Sequence, residues 1–446
     1  MALIVSDRRT LVVGLGQTGL SCARFLAARG REFAVADSRE QPPGLESLRR
    51  DYPEVPVYLG PFDPERFIQY NELIVSPGVA RSEAAIVAAE EAGAEIRGDV
   101  DLFAELAEAP IAAITGSNGK STVTMLLGEM ARDAGKNVAV GGNLGTPVLE
   151  LLDPEAELYV LELSSFQLET TERLNAAVAT VLNVSDDHMD RYPSRMAYFQ
   201  AKHRIFNGCG IAVVNLDDPL SQPLMREGME ARLFGMNRVN LDMFSTREDD
   251  EGLWITYGLD NFINTRELKL QGLHNISNVL AALTMGLALG LPRESMAQTL
   301  RHFEGLPHRC QKVRELGGVT WINDSKGTNV GATVAAIESL KPRQGGLLLI
   351  AGGDGKGADF APLAEAVRSH CKGTLLIGKD APLIAQALGD DVPYQMAETL
   401  DTAVEMAQAT AQAGDTVLLS PACSSLDQYR NYEERGDRFM AAVEAL

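Results

Sequence analysis

Apolar residues follow two alternating patterns along this chain. Short continuous apolar runs, such as Leu11 to Val13, Ile111 to Ile114 and Leu158 to Leu161, are typical of strands buried on both faces of a parallel sheet. Between these runs, apolar residues recur every three or four positions, as on one face of a helix. Further runs predict strands at 33–36, 73–75, 178–184, 211–218, 319–322, 347–351, 374–377 and 416–419. Strands that alternate with helices predict an α/β fold with mostly parallel sheets.

Three other segments carry weaker structural signals. The stretch 241–267 is irregular and predicts hairpin-like strands on the surface. The sequence GLHNISN predicts a helix that is N-capped near Asn275 and ends at Gly290. In SPACSSLDQYRNYEERG, residues Ser424 and Ser425 are predicted to open a helix.

The stretch IAAITGSNGKST at 111–122 has the clearest chemical signal. A predicted strand runs into Gly116, Gly119 and Lys120, and a helical pattern follows Ser121. Glycines let backbone N–H groups converge on a phosphate, the lysine reaches the terminal phosphates, and Ser121 is placed to bind Mg²⁺. Because Ile114 replaces the first glycine of G-x-x-x-x-G-K-[ST], the spacing is the shorter G-x-x-G-K-S. We predict a nucleotide site, against the alternative of a glycine-rich turn with a solvated lysine.

A second glycine-rich loop, GLGQTG, lies near the start of the chain. Gly14, Gly16 and Gly19 satisfy G-x-G-x-x-G between a predicted strand and a predicted helix, and Asp37 ends the next strand. This pattern predicts a Rossmann-like βαβ unit. NAD binding is a weaker inference, since such loops also serve other nucleotides or none.

Polar side chains at the ends of two central strands are candidate ligands. Glu162 ends the strand 158–163, where P-loop proteins commonly direct a carboxylate at Mg²⁺; a solvated strand end is the alternative. The loop after strand 178–184 gathers Asp186, Asp187, His188 and Asp190. A solvated turn is possible there, but open α/β sheets bind ligands at the carboxyl ends of their strands. Lys202 lies on a predicted helix, where a lone lysine is usually solvated.

The chain is long enough for several domains. Its 446 residues are too many for a single domain with one compact core. We predict a Rossmann-like domain at 1–97, a central P-loop ATPase-like domain with a mostly parallel sheet at 98–305, and a Rossmann-like C-terminal domain at 306–446. Glycine and proline at 304–309 predict a hinge before the last domain, which we expect to close on the nucleotide.

Composition narrows the functional classes. The net charge of −21 disfavours nonspecific binding to nucleic acids or anionic membranes. The sequence has no apolar run of membrane-spanning length, and its first residues do not resemble a secretory signal. Five scattered cysteines without C-x-x-C spacing predict reduced thiols in the cytoplasm and argue against a structural zinc site. We expect a monomer with small-molecule partners, no nucleic acid and no membrane insertion.

The motifs together resemble the Mur ligases of bacterial peptidoglycan synthesis. They occur in this order: GLGQTG, TGSNGKST, GGNLG, ELSSFQLET, NVSDDHMDRY, AKHRIF, GLHNISN, GLPHR, NDSKGTN, GGDGK and SPACSSLDQ. The match spans essentially the whole chain, and ELSSFQLE with SPACSSLDQ resembles the branch that adds D-glutamate. The resemblance implies that ATP phosphorylates the carboxylate of UDP-N-acetylmuramoyl-L-alanine. The amine of D-glutamate then attacks the acyl phosphate, and ADP and phosphate are released.

The resemblance also implies roles for individual residues. Lys120, His188 and Lys202 match catalytic positions; Ser121 and Glu162 match ligands of one Mg²⁺, and His188 of a second. Lys202 matches a lysine carried as a carbamate, an anion that serves as a metal ligand. Positions matching the ATP site are Gly116, Ser117, Asn118, Gly119, Lys120, Ser121, Thr122, Asn275, Asn278, Arg309, Asp324 and Lys326.

The remaining matched positions concern the other two substrates. Those for the UDP-linked substrate are Gly14, Gln17, Thr18, Asp37, Ser38 and Asn143. Those for D-glutamate are Thr328, Lys356, Ser425, Leu426 and Tyr432. Tyr432 stands where the family commonly has Phe, and Cys310 and Gln311 replace the commoner aromatic and acid after Arg309.

Three alternative functions remain open from the sequence. Another ligase of the superfamily, either a different Mur ligase or a folylpolyglutamate synthase, would share most motifs. An NAD-dependent dehydrogenase is supported only by GLGQTG. A nucleotide-gated regulatory protein would bind ATP without ligation.

Overall fold

The computed structural model describes residues 8–189, 191–238, 240–270, 272–340 and 345–446. Asp190, named above with the acid-rich loop, lies outside these residues. Within the described ranges the strands form three sheets, with strands between Thr10 and Arg97, Ile111 and Asn264, and Gln311 and Leu419. The domain limits at 97/98 and 305/306 remain predictions.

The first sheet is parallel, with strand order β3-β2-β1-β4-β5. Its elements are β1 (Thr10–Val13), α1 (Gln17–Ala28), β2 (Phe33–Asp37), α2 (Leu45–Asp51), β3 (Val57–Leu59), α3 (Pro64–Phe67), β4 (Glu72–Val75), α4 (Ala84–Glu91) and β5 (Glu95–Arg97). Buried apolar residues such as Val12, Val35 and Ile74 fill the space between sheet and helices. The order is Rossmann-like, as predicted.

The second sheet has the order β14-β13-β12-β11-β10-β9-β6-β8-β7. Its region contains α5 (Asp99–Ala104), β6 (Ile111–Thr115), α6 (Lys120–Asp133), β7 (Val138–Gly142), β8 (Leu158–Glu162), α7 (Ser165–Glu169), β9 (Val178–Val181), α8 (Arg195–His203), β10 (Ile211–Asn215), β11 (Glu230–Phe234), β12 (Phe244–Asp249), β13 (Gly252–Tyr257), β14 (Asp260–Asn264), α9 (Leu273–Ala288) and α10 (Arg293–His302). The neighbouring strands β7, β8, β6, β9, β10, β11 and β12 pair in parallel. Strands β12, β13 and β14 form antiparallel hairpins. Because β8, β6 and β9 are parallel neighbours, the loops that follow them lie at the same edge of the sheet.

The third sheet has the order β15-β16-β20-β17-β18-β19. Its elements are β15 (Gln311–Leu316), β16 (Val319–Asn323), α11 (Val330–Ser339), β17 (Leu347–Gly352), α12 (Ala361–His370), β18 (Cys371–Ile377), α13 (Ala381–Leu388), β19 (Tyr394–Glu398), α14 (Leu400–Thr410), β20 (Thr416–Leu419) and α15 (Tyr432–Glu444). Only β15 pairs antiparallel within this described sheet.

Three sequence predictions are wrong in detail. Helix α9 begins at Leu273 after Gly272, so Asn275 lies inside its first turn rather than capping it. Ser424 and Ser425 lie in a loop; the helix begins at Tyr432, where Asn431 accepts a hydrogen bond from the Glu434 N–H. The predicted hairpins are present at 244–264, but their surface position is wrong, because they extend the central sheet and bury one face.

Among the described helices, none combines the length and apolar character needed to cross a membrane.

Candidate functional site

The loop between β6 and α6 has the backbone of a phosphate cradle. Gly116 has a φ of +153° and Gly119 a φ of +84°, conformations that favour glycine. A Cβ on Gly119 would lie 2.2 Å from Oδ1 of Asn278 on α9. Glycine is therefore required here both by backbone conformation and by the close approach of α9.

Lys120 begins α6 and folds back over this loop. Its Nζ donates hydrogen bonds to the carbonyl oxygens of Gly116 (2.9 Å) and Ser117 (3.0 Å). Burial lowers the pKa of Lys120, although the carboxylates of Glu162 and Asp187 oppose this shift. The amine is thus held where the terminal phosphates of a nucleotide would meet the loop.

Glu162 ends β8 beside the cradle, as the sequence predicts. Its Oε1 accepts a hydrogen bond from Asn143 Nδ2 (2.7 Å), whereas the buried Oε2 has no hydrogen-bond partner among the described residues. Burial favours the neutral acid, but the charge of Lys120 and the Asn143 hydrogen bond bring the pKa of Glu162 below its ordinary value. A buried carboxylate with an unpartnered oxygen, in one cavity with the Ser121 hydroxyl, suits a hard cation such as Mg²⁺.

Lys202 is buried rather than solvated, contrary to the usual reading of a lone helical lysine. It lies on α8 with only 1% of its surface exposed, and its Nζ donates to the Gly116 carbonyl (2.8 Å). The Nζ also lies 4.5 Å from the centre of the Tyr198 ring. Burial and then the charge of Lys120 lower the pKa of Lys202 well below its usual range, which favours a neutral, nucleophilic amine.

His188 is held in the loop after β9 by a strained backbone and aromatic neighbours. Its φ is +56°, and its ring centre lies 4.7 Å from that of Phe166. Asp187 Oδ2 lies 3.6 Å from His188 Nε2. Burial lowers the pKa of the His188 imidazole, and the charge of Asp187 partly offsets this shift. A neutral imidazole beside a carboxylate is a suitable metal ligand.

Two side chains from the third sheet's region reach the central loop. Arg309 Nη2 donates to Ser121 Oγ (2.7 Å). Asn329 Nδ2 donates to Asn118 Oδ1 (3.2 Å) and to Asp187 Oδ2 (3.3 Å). The site is therefore composite, with residues from the central and third regions.

Two adjoining cavities collect most of the predicted residues. The first, of about 340 Å³, is lined by eight predicted ATP-site residues: Asn118, Gly119, Thr122, Asn275, Asn278, Arg309, Asp324 and Lys326. The second, of about 390 Å³, is lined by Ser117, Lys120, Ser121, Asn143, Glu162, His188, Lys202, Thr328, Lys356, Ser425, Leu426 and Tyr432. Asn118, Gly119, Arg309 and Lys326 belong to both linings, so the two cavities meet at the glycine loop. Gly116, in the same loop, lines neither cavity, and its carbonyl accepts hydrogen bonds from Lys120 and Lys202.

Charged groups at the junction of the cavities have shifted pKa values. Burial raises the pKa of Asp324 to about 6, although Ser420 donates a hydrogen bond to it (2.7 Å). Burial and the charge of Arg309 lower the pKa of Lys326 to about 8. The Lys326 ammonium lies 3.8 Å from the centre of the Tyr432 ring, which is within cation–π distance.

The predicted first-domain residues lie apart from both cavities. Gly14, Gln17, Thr18, Asp37 and Ser38 line neither one. Asp37 accepts hydrogen bonds from the Leu15 N–H (2.7 Å) and from Arg39 Nε (2.8 Å). Of the residues predicted for the UDP-linked substrate, Asn143 alone lines the second cavity.

Several site residues were not predicted. Asn183, at the end of β9, accepts from the Asn118 N–H (2.8 Å) and donates to the Asn118 carbonyl (3.1 Å), which fixes the glycine loop. Tyr198 lies 3.2 Å from Ser117 Oγ through its hydroxyl. Position at a strand end could have indicated Asn183, whereas Asn329 depends on a contact between distant segments.

The two unusual residues after Arg309 have structural roles. Cys310 has a φ of +46°, and its N–H donates to Asp324 Oδ1 (3.1 Å). Gln311 Oε1 accepts from the His308 N–H (3.0 Å). The loop is thus held by the Cys310 backbone N–H and by the side-chain amide of Gln311.

Comparisons with known proteins agree with this architecture. The models for the Mur ligase MurD-like N-terminal domain, the Mur ligase middle domain and the Mur ligase glutamate ligase domain match residues 8–98, 114–286 and 308–423. A Marinobacter nauticus protein named UDP-N-acetylmuramoylalanine–D-glutamate ligase is 63% identical, over 100% of both chains. A protein of the same name from Pseudomonas syringae pv. syringae is 56% identical, also over 100% of both.

Solved structures share the fold at low sequence identity. UDP-N-acetylmuramate-alanine ligase MurC from Thermotoga maritima has a TM-score of 0.60 and 16% identity, over 98% of this chain and 99% of that one. A pseudomurein peptide ligase type C from Methanothermus fervidus has a TM-score of 0.61 and 17% identity, over 93% and 96%. The three matched models and the full-length relatives establish that the chain belongs to the Mur ligase family.

Proposed function

We propose that this chain joins D-glutamate to UDP-N-acetylmuramoyl-L-alanine at the expense of ATP, in peptidoglycan precursor synthesis. The full-length relatives at 63% and 56% identity carry the name of that activity. The observation that carries the proposal on the structural side is the second cavity. It joins the glycine loop and Glu162 of the central region to Thr328, Lys356 and Tyr432 of the third.

The reaction has two balanced steps. A carboxylate oxygen of the acceptor attacks the γ-phosphorus of ATP, and ADP leaves, giving an acyl phosphate. The amine of D-glutamate then attacks the acyl carbon, phosphate leaves, and the amine gives up a proton as the amide forms. Transfer between anions depends on positioning and neutralised charge, which Lys120 and the loop N–H groups supply at the β- and γ-phosphates.

Two Mg²⁺ sites are part of the proposal. Ser121 and Glu162 would hold one ion, and the unpartnered Glu162 Oε2 supports that assignment. His188 would hold the second, together with a carbamate on Lys202. When bound, Mg²⁺ supplies positive charge that stabilises the phosphoryl oxygens.

The environment of Lys202 supports the proposal that this lysine is carbamylated. A neutral amine can attack CO₂ and lose a proton, which leaves an anionic carbamate. The lowered pKa of Lys202 supplies the neutral amine, and Lys120 would stabilise the anion. We expect K202A to lose ligation and a short-chain carboxylic acid to restore part of it; full activity of K202A without added acid would contradict the role.

Substrate binding is divided among the three regions. The adenosine of ATP would occupy the first cavity, beside Asn275, Asn278 and Asp324, with Arg309 and Lys326 toward the phosphates. D-glutamate would be held by Thr328, Lys356, Ser425, Leu426 and Tyr432. The UDP group would bind the first-domain residues Gly14, Gln17, Thr18, Asp37 and Ser38, with Asn143 nearer the transfer site.

An amino-acid panel tests this function. The purified protein is given ATP, Mg²⁺ and UDP-N-acetylmuramoyl-L-alanine with D-glutamate, L-glutamate, L-alanine or meso-diaminopimelate, and products are identified by mass spectrometry. We expect an amide product with D-glutamate only. Preferential use of another amino acid, or ligation of L-glutamate to a folate acceptor in a parallel assay, would favour another ligase of the superfamily.

We further propose that the enzyme works as a monomer in the cytoplasm. The described cysteines are free thiols, in keeping with a reducing compartment. Sedimentation of the purified protein tests the oligomeric state, and a mass near 48.1 kDa is expected.

A further inference from the structure

Arg191 bridges the first and central regions at a point close to His188. Its Nη1 donates to the Pro77 carbonyl (3.0 Å) and its Nη2 to the Val79 carbonyl (3.2 Å), both in the loop after β4. Glu169, at the end of α7, accepts from the same Nη2 at 2.7 Å and orients the guanidinium. The Arg191 side chain is only 15% exposed, so these charge-assisted bonds are partly shielded from water.

The loop that Arg191 holds supports the first glycine loop directly. Ser76 Oγ donates to the Gly14 carbonyl (3.0 Å). A Cβ on Gly14 would lie 3.0 Å from Ser76 Cβ and 3.1 Å from a Val79 methyl carbon. A displacement of the Ser76–Val79 segment would therefore also displace the backbone at Gly14.

Arg191 also supports His188 from the other side. Its backbone N–H donates to the carbonyl of His188 (3.0 Å), which has a positive φ of +56°. The guanidinium carbon lies 4.3 Å from the centre of the Phe166 ring, and that ring packs against the His188 imidazole. Arg191 thus contacts both the segment that packs against the first glycine loop and the aromatic ring that packs against His188.

We propose that Arg191 is a positioning residue that fixes the distance between the bound UDP-linked acceptor and His188. The proposal rests on the function proposed above, since it takes Gly14 as part of the acceptor site and His188 as part of the transfer site. Without the guanidinium, the first region keeps its own fold, but its position relative to His188 is no longer fixed. The contacts do not extend to Asn275 or Asn278, so ATP binding is expected to be independent of Arg191.

The test compares substrates within single variants. Arg191→Met keeps the apolar stem, Arg191→Lys keeps one charge, and Glu169→Gln keeps the arginine but loosens its orientation. Arg195→Met is the matched control, because Arg195 pairs with Asp186 in the same loop and makes no described contact with Phe166 or the first region. For each variant, kcat, the KM of each substrate, and the separate Kd of ATP and of the UDP-linked acceptor are measured.

We expect R191M to raise the acceptor KM and Kd by roughly tenfold or more and to lower kcat, with the Kd of ATP changed less than about twofold. R191K and E169Q should show the same selectivity with smaller effects, and R195M should match the wild type. Equal losses of ATP and acceptor affinity, or unchanged acceptor affinity, would overturn the proposal. If R191M fails to fold, R191K and E169Q decide the question. A wild-type protein that binds no UDP-linked acceptor would instead refute the proposed function.

Discussion

Single residues in the site are determined by local contacts that can be tested one at a time. Gly119 and Gly135 both have positive φ, +84° and +83°. They differ in surroundings, because a Cβ on Gly119 would meet Asn278 at 2.2 Å, whereas nothing lies within 4 Å of a Cβ on Gly135. The pair separates backbone strain from steric exclusion.

We predict that G119A lowers the stability and the ATP affinity of the protein more than G135A does. Both substitutions cost about 1 kcal/mol through the backbone, and G119A additionally displaces Asn278 and the glycine loop. Thermal unfolding and ATP titration of the two variants measure the difference. Equal stability and equal ATP affinity would show that the contact with Asn278 is unimportant.

A buried acid predicts a pH-dependent stability. Asp99 begins α5 with 2% exposure, and its Oδ1 has no hydrogen-bond partner among the described residues. Burial raises the pKa of Asp99 from 3.8 to about 6. Since the unfolded chain ionises first, stability is lost as pH rises from about 4 to about 6, by about 3 kcal/mol.

Asp99→Asn should therefore stabilise the protein above pH 6 and have little effect near pH 4. Urea unfolding at several pH values measures this, with D250N, an exposed turn residue, as control. A D99N effect that is the same at pH 4 and pH 7.5 would contradict the explanation by burial.

Elements were predictable where burial makes them apolar throughout. Strands β6, β8 and β20 are fully buried and were predicted to within a residue. Strands β3 and β19 were missed, because edge strands expose polar and apolar residues alike and carry no continuous apolar run. The start of α9 was misplaced because the Asn275 side chain contacts Asn278 (3.2 Å) instead of capping the helix.

The N-terminus of α11 gives a prediction at this scale. Asn329 Oδ1 caps the helix by accepting from the Ala332 N–H (2.8 Å), while its Nδ2 reaches Asn118 and Asp187. N329S should keep the cap, but it should lose the hydrogen bonds to Asn118 and Asp187, because serine is shorter than asparagine. We expect near-native stability with a severalfold lower kcat. N329A, which loses both, should cost about 1 kcal/mol of stability as well. An N329S enzyme with wild-type kcat would contradict a role in joining the two regions.

At the scale of the whole molecule, the sequence indicated which loops share a sheet edge but not which side chains meet between sheets. Glu162 and His188 follow parallel strands of one sheet, so their proximity could be predicted. The Arg309–Ser121 and Asn329–Asn118 contacts depend on how the third region sits on the central one, and no local pattern encodes that.

The hinge predicted at 304–309 leads to a prediction about closure. Without ATP the third region should separate from the central loop, and ATP should draw the two regions together. Small-angle scattering with and without an ATP analogue plus acceptor measures the change. We expect a smaller radius of gyration with both ligands; unchanged dimensions would count against closure.

The central claim is that phosphoryl transfer and amide formation are coupled in one composite site. Phosphate release from ATP, measured with UDP-N-acetylmuramoyl-L-alanine and D-glutamate together and with each omitted, tests it most directly. We predict sustained phosphate release only when both are present, and its loss in K202A. ATP binding without phosphate release under the complete conditions, or release that needs neither substrate, would contradict the account.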